Sequence, residues 1–193
     1  MAADRKLVVS VVVGTRTQEQ PLAWGKDAKR RLRPGHVPAM FTAASGGYES
    51  ALWEVCGRRY AHPSQGAPGR VSRPVVRWPP GLAYGQVPKI DKGRRVVRVD
   101  VRAIRGKARL NHGLYLLGYK QINTSVVERH HGTSRLRNRR KGRKTPTFSK
   151  ATRYHRWMSW LSVGLDNFCH AHSSLKIKQE AQVLHRSPAM VAK

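Results

Sequence analysis

Glu128 is the single carboxylate between Asp100 and Asp166, within a stretch rich in Arg and Lys. Asn123, Thr124 and Ser125 precede it, and residues 126–127 are valines, a pattern that predicts a helix with its N-cap among those three polar residues. Glu128 would then lie in the first turn, where the helix dipole favours a negative charge. An acid in so positive a field either serves the helix and its neighbours or holds a cation, and composition alone favours the first interpretation.

The charge of the whole chain points to a polyanionic partner. The 193 residues include 38 Lys and Arg against 10 Asp and Glu, a formal net charge of +28. Such an excess repels itself in a compact state, and nucleic acid relieves it because each neutralised phosphate releases counterions. An anionic membrane is the weaker candidate, since no run approaches the roughly 18 apolar residues of a spanning helix. The chain shows no signal peptide, and two cysteines fit a reducing compartment, so we expect a cytoplasmic protein and no membrane partner.

Three motifs carry a family resemblance. Ile-Asn-Thr-Ser-Val-Val-Glu-Arg at residues 122–129, Gly-Arg-Lys-Thr-Pro-Thr-Phe-Ser-Lys at 142–150 and Asn-Phe-Cys-His-Ala-His-Ser-Ser-Leu at 167–175 resemble segments of the insertion-sequence-1-type bacterial transposases. Gly-Thr-Arg-Thr at 14–17 and Phe-Thr-Ala-Ala-Ser-Gly-Gly-Tyr-Glu-Ser at 41–50 extend the resemblance. It covers most of residues 4–175 and is strongest from residue 121 onward.

The resemblance implies a fold and an activity. The fold is α/β, a ribonuclease-H-like (retroviral-integrase-like) mixed sheet flanked by helices, here incomplete and carrying a Pro/Gly/Arg-rich insertion. The activity is DNA transposition, the cutting and joining of DNA at element ends by phosphoryl transfer from an Asp-Asp-Glu triad. The implied partners are DNA at the element ends and target DNA, with homo-oligomers in the family, and the implied location is prokaryotic and nucleoid-associated. Glu128 corresponds to the last carboxylate of the triad, so it is the predicted catalytic and metal-binding residue.

The other two carboxylates of the triad are missing. Counting back from Tyr48, the family's second Asp falls on Ala43, and its first Asp lies one strand before the present start. The family's mechanism uses two Mg²⁺ ions held by hard carboxylate oxygens. One Glu in so positive a field is not expected to bind them productively. The sequence therefore predicts a copy that is truncated at its N-terminus and catalytically degenerate, which leaves the enzymatic assignment open.

The basic run after Glu128 is the predicted DNA contact. Charge runs are commonly solvated faces, but this one follows the candidate catalytic helix, where DNA passes in the family. We expect phosphate contacts from a set of ten residues. These are Arg129, His130, Arg135, Arg137, Arg139, Arg140, Lys141, Arg143, Lys144 and Lys150.

Periodicity predicts the surrounding elements. Residues 7–13 form a β-branched run and 37–42 a second apolar run, read as two buried strands, with helices at 17–32 and 48–55; this order suggests a parallel pair. A hairpin is expected over 89–102, with Asp100 paired to a neighbouring Arg.

The long stripe in the last predicted helix is expected to be core packing. Its members are Ala151, Tyr154, Met158, Leu161, Leu165 and Phe168, widened by Trp157 and Trp160.

Four segments follow from these patterns. Residues 1–57 would be the first part of the catalytic core and 58–110 a basic Pro/Gly-rich insertion, with little regular structure over 58–88. Residues 111–175 would complete the core, and 176–193 would be a disordered tail. Within the insertion, Trp78 and Tyr84 could stack on bases or equally pack on the domain.

Two other functions remain open. One is a basic RNA-binding or ribosome-associated protein, which a preference for structured RNA would favour. The other is a decaying remnant whose product does not fold stably.

Overall fold

The computed structural model describes residues 1–15, 17–60, 75–93, 95–122, 124–142, 146–179 and 182–192. The chain divides into two compact units. The terminal unit combines Met1–Gln20 with Asn123–Lys193, and the central unit is Pro21–Ile122.

Strands are concentrated in the middle of the described chain, and helices lie mainly before and after them. The α-helices are α1 (Glu19–Arg30), α2 (Gly46–Cys56), α3 (Lys107–Leu116), α4 (Ser125–Arg137), α5 (Thr152–Gly164) and α6 (Pro188–Val191). The strands are β1 (Ala39–Ala43), β2 (Arg58–Tyr60), β3 (Val75–Arg77), β4 (Ala83–Val87), β5 (Lys89–Lys92), β6 (Arg95–Val99), β7 (Arg102–Arg105), β8 (Ile177–Gln179) and β9 (Gln182–Leu184). Short 3-10 helices span Arg139–Lys141 and Ser173–Leu175, and a π-helical turn spans Leu165–Cys169.

A small mixed sheet organises the central unit. Its order is β1–β4–β7, with β1 parallel to β4 and β4 antiparallel to β7. Apolar residues of β4 pack with Leu110 and Leu114 of α3 and with Ile122. Tyr84 is fully buried, and its hydroxyl lies 2.9 Å from Thr42 Oγ1 and accepts from Gln86 Nε2 at 2.8 Å. The expected α/β class, with a mixed sheet and helices, is confirmed.

The central strand of this sheet lies where the sequence predicted little regular structure, so that prediction is wrong for residues 83–87. Glycine and proline suggested a linker, but Gly85 serves packing instead. A Cβ at Gly85 would lie 2.8 Å from Ile122 Cδ1. Glycine in a strand therefore marks a close approach here, not an irregular segment. Residues 61–74 of the same stretch lie outside the described residues.

Several local predictions for the central unit are confirmed. Helix α1 occupies the segment predicted at 17–32, and α2 buries Ala51, Leu52 and Val55 as expected. The strand predicted at 37–42 is β1. Strands β5 and β6 form the predicted hairpin, and Asp100 accepts a hydrogen bond from Arg98 Nε at 2.6 Å.

The strand predicted at residues 7–13 is wrong. Among the residues that the structure describes, this segment joins no sheet, and Leu7 forms an isolated bridge with Ala2. Asn167 takes the place of a neighbouring strand: Val8 N–H donates to Asn167 Oδ1 at 2.9 Å, and Asn167 Nδ2 donates to Val8 O at 3.0 Å. The parallel pair predicted between residues 7–13 and 37–42 is therefore wrong, and β1 instead pairs in parallel with β4.

The apolar stripe of α5 is not core, which corrects the sequence prediction. Trp157 is 59% exposed and Phe168 70% exposed, whereas Ser159, Val163 and Asn167 are buried. These three residues recur every four positions, so they share one helix face. The helix therefore packs through its small and polar face.

The predicted disorder of the tail is also wrong for the described part of residues 176–193. Strands β8 and β9 pair as a hairpin, and α6 follows. His172 N–H donates to Arg186 O at 3.0 Å, and Arg186 Nε donates to Leu175 O at 2.8 Å. These hydrogen bonds tie the tail to the chain before it, and a single-sequence pattern does not reveal them.

Gly106 provides a test of the central unit. It has φ +63°, and a Cβ there would lie 2.7 Å from Leu82 O, whereas Gly93 has φ +65° and no atom within 4 Å of its ideal Cβ. We expect Gly106→Ala to lower the free energy of unfolding by about 2–4 kcal/mol, from backbone strain plus overpacking, and Gly93→Ala by about 1–2 kcal/mol. Urea unfolding of both variants measures this difference. Equal losses of unfolding free energy in the two variants would mean that the loop before α3 is not closely packed against the start of β4.

Candidate nucleic-acid interface

Helix α4 presents two different faces. Glu128, His131 and Arg135 are exposed and follow one another at spacings of three and four, so they lie on one side. His130 and Ser134, four residues apart, are half-buried and buried on the packed side. The candidate catalytic Glu is thus on the solvent-facing side of a basic helix.

The predicted helix and the position of Glu128 in its first turn are confirmed. The predicted cap is different in detail. Thr124 occupies the N-cap, but its hydroxyl donates to Glu128 Oε1 at 2.5 Å and makes no side-chain hydrogen bond to the helix backbone. The carboxylate is therefore held beside the helix N-terminus, where the dipole stabilises it. Asn123, another predicted cap, lies outside the described residues.

Asp166 anchors the packed side of α4. Its side chain is 12% exposed, and Arg137 Nη1 donates to its Oδ1. His170 Nδ1 lies 3.1 Å from Oδ1, and His130 Nδ1 lies 4.0 Å from Oδ2. A buried carboxylate needs such partners because its desolvation costs several kcal/mol. Asp166 therefore joins the end of α4 to the π-helical turn that follows α5.

A second set of contacts holds the basic turn after α4. Lys141 Nζ donates to Ser134 Oγ at 2.7 Å, and Asn138 Nδ2 donates to Ser162 Oγ at 3.2 Å. Arg140 N–H donates to Asn138 Oδ1 at 3.1 Å. The turn is thus fixed through its backbone and through Lys141, which leaves its arginine side chains at the surface.

The structure separates the ten predicted DNA contacts into groups. Exposed residues are Arg129, Arg135, Arg137, Arg139, Arg140 and Lys150. His130 and Lys141 are half-buried, and Arg143 and Lys144 lie outside the described residues. Because Arg137 is paired with Asp166, the cations best placed to meet phosphate are the other exposed ones in α4 and the turn after it. We call these the α4 basic face: Arg129, Arg135, Arg139 and Arg140. Lys150 is also exposed but lies outside this segment.

Burial and charge lower the pKa of the histidines in the terminal unit. Burial lowers the pKa of His130 below its ordinary value of 6.5, and Asp166 partly offsets this effect. Burial, followed by Arg135 and Lys141, lowers the pKa of His131. The pKa of His172 falls for similar reasons, burial first and then nearby cations. Burial first, and nearby cations second, thus lower the pKa of these imidazoles and favour their neutral form.

The carboxylates do not fit the two-metal centre that the resemblance implies. Ala43 is the last residue of β1, and its methyl group supplies no ligand where the family has an Asp. Asp166 is already paired with Arg137. Within the described residues, no group of three or more His, Cys, Asp or Glu side chains is placed to hold a metal ion.

Sequence patterns missed the anchoring residues. Asp166, Asn167 and Ser159 form the packed face of the last helix and the turn after it, and the signal was the recurrence of polar residues every three or four positions.

Of the two aromatic residues considered for base stacking, the structure excludes Tyr84, which is fully buried, and leaves Trp78 half-buried.

Comparison of the chain with protein-family models, with curated proteins and with solved structures gives no match. In the described part of the chain, no helix has both the length and the apolar character needed to cross a membrane.

The histidines predict a stability loss in acid. Their folded pKa values lie below the unfolded value of about 6.5, so the unfolded chain binds more protons as the pH falls. The contribution of these histidines to the free energy of unfolding is therefore fully present above pH ~6.5. It is lost as the pH falls from there toward their folded pKa values. We expect urea unfolding at pH 7.5 and 5.5 to show this loss, and His130→Gln to reduce it. His112→Gln, an exposed substitution on α3, is the matched control; an equal reduction there would contradict the assignment.

Proposed function

We propose that this protein binds duplex DNA through the α4 basic face and is a degenerate relative of the insertion-sequence-1-type transposases. The observation that supports binding most directly is the exposure of Arg129, Arg135, Arg139 and Arg140 in one short segment. The motifs around Glu128 and in residues 142–150 and 167–175 support the relationship.

Electrostatics explain why this face suits a phosphate backbone. Asp166, whose side chain is 12% exposed, is paired with Arg137, so its charge does little to neutralise the other arginines. Glu128 is the one acid of α4, and Thr124 holds it beside the helix N-terminus. Guanidinium groups pair with phosphate through two parallel hydrogen bonds, which favours Arg-rich surfaces for nucleic acid.

The proposal extends to a ribonuclease-H-like core. The mixed sheet β1–β4–β7, with one parallel and one antiparallel pair and with α2 and α3 beside it in sequence, is compatible with that arrangement. The presence of Ala43 at the position of the family's second Asp supports loss of strand cleavage rather than its retention.

Binding is tested by its salt dependence. Each neutralised phosphate contributes about 0.9 to the slope of log affinity against log salt. Replacing Arg129, Arg135 and Arg139 together by Gln should therefore make the slope for a duplex less steep by about 2–3. Fluorescence anisotropy at several salt concentrations measures the affinity.

Three exposed cations of the central unit provide the matched control: Lys92, Arg95 and Lys107, each replaced by Gln. This variant has the same net charge as the first one, so a smaller change of slope would assign the contact to α4. An equal change would place binding elsewhere or make it diffuse. Tighter binding of a structured RNA than of duplex DNA would favour the RNA-binding alternative.

Catalysis provides a separate prediction. With Ala43 in the sheet, Mg²⁺ or Mn²⁺ should yield no nicking of a labelled duplex. Glu128→Gln should modestly strengthen binding without divalent ions, because it removes a negative charge from the basic face. Nicking by the unaltered chain that Glu128→Gln abolishes would show that another acid has replaced the missing ones.

A further inference from the structure

The central unit contains an open cleft of about 740 Å³ between α2 and the strands that follow it. Glu49, Trp53 and Glu54 of α2 form one wall, with Arg59 of β2, Trp78 after β3, and Arg105 of β7 on the other sides. Its volume lies within the roughly 300–1,000 Å³ of ligand pockets. All of these residues are far in sequence from the α4 basic face.

Two tryptophans give the cleft its character. The ring centroids of Trp53 and Trp78 are 4.7 Å apart with planes at 75°, an edge-to-face pair. In that geometry the edge of one ring contacts one face of the other. The ring faces outside this contact remain for a flat ligand to stack on. Trp53 is 37% exposed and Trp78 is half-buried.

The charges of the cleft narrow the ligand class. Arg59 and Arg105 line it, and the Arg105 guanidinium lies 5.9 Å from the Trp78 ring centroid. Of the two acids, Glu54 lies 3.7 Å from Lys26 Nζ and is partly compensated. Two guanidinium groups disfavour a cationic ligand, whereas they suit a flat ring attached to an anionic backbone. Glu49 can accept hydrogen bonds from a ring amino group.

We propose that this cleft binds an unpaired base of single-stranded DNA, stacked on Trp53, the more exposed of the two rings, with Trp78 packed edge-to-face against it and with Arg59 and Arg105 beside the flanking phosphates. Aromatic stacking tolerates every base, and the Glu49 carboxylate favours cytosine or guanine over thymine. The inference rests on the proposed function only in taking DNA as the ligand, since its residues are separate from the α4 basic face.

The β2–β3 hairpin provides a matched control. Arg59 is paired with Val76, and both line the cleft, whereas Tyr60 pairs with Val75 and alternation places it on the opposite face. Tyr60 is also an exposed aromatic ring with a guanidinium, that of Arg77, 5.6 Å from its centroid. It therefore resembles the cleft residues chemically without belonging to the cleft.

The experiment measures anisotropy of a labelled 12-mer of deoxycytidine and of a 12-base-pair duplex with the full chain. Trp53→Ala with Trp78→Ala should weaken binding of the single strand by about 10- to 100-fold and leave duplex binding within about twofold. Phenylalanine at both positions should restore most of the affinity. Tyr60→Ala should leave the affinity for both the single strand and the duplex unchanged.

Further arms make the outcome decisive whether or not the alanine variant folds. Arg105→Gln should lower the salt slope for the single strand alone, and a deoxythymidine 12-mer should bind more weakly than deoxycytidine. The inference is overturned if Arg105→Gln leaves single-strand binding and its salt slope unchanged, if a folded alanine variant binds the single strand as tightly as the unaltered chain, or if choline competes with the oligonucleotide. Neutralising the α4 basic face tests the proposed function separately: a loss of duplex binding without a loss of single-strand binding would concern that function and not the cleft.

Discussion

Negative charge is scarce in this chain, so the position of each acid decides which Lys and Arg side chains can form an ion pair within the fold. Ten acids face 38 Lys and Arg, and Asp166 is the one that holds the terminal unit together. Its buried carboxylate accepts from Arg137 and lies beside His170 and His130. Without it, the end of α4 would lose its ion pair with the turn after α5, and the Arg137 guanidinium and the nearby histidines would have no acid beside them.

A polar interior follows from that constraint. Ser134, Asn138, Ser159 and Asn167 are buried in the terminal unit, and the side chains of Ser134, Asn138 and Asn167 make hydrogen bonds to other side chains or to backbone. Such an interior is specific because its donors and acceptors must match in position. It also explains why α5 leaves the ring of Trp157 at the surface: the polar face of the helix is required inside.

The central unit is built differently. An apolar cluster around β4 and α3, including Ala83, Leu110 and Ile122, fixes a three-stranded sheet. Its acids pair locally at the surface, as Asp27 does with Arg30 and Arg31 one turn away. Arginines therefore line a cleft beside tryptophan rings in the central unit, while exposed arginines follow one another along α4 and the turn after it in the terminal unit. Both arrangements suit a polyanion, one through rings and charge and the other through charge alone.

Composition and local periodicity by themselves determined the α/β class, helices α1, α2 and α4, the hairpin of β5 and β6, and the expectation of a polyanionic partner. These features depend on neighbours within a few residues, where propensity and capping act. The sequence could not show which face of α5 is buried, because an apolar stripe indicates burial only if a matching surface exists. Nor could it show that residues 7–13 pair with the side chain of Asn167, or that β4 is central. Those outcomes depend on contacts between residues distant in sequence, where a single amide or the close approach of Gly85 to Ile122 decides the pairing, so only the tertiary structure settled them.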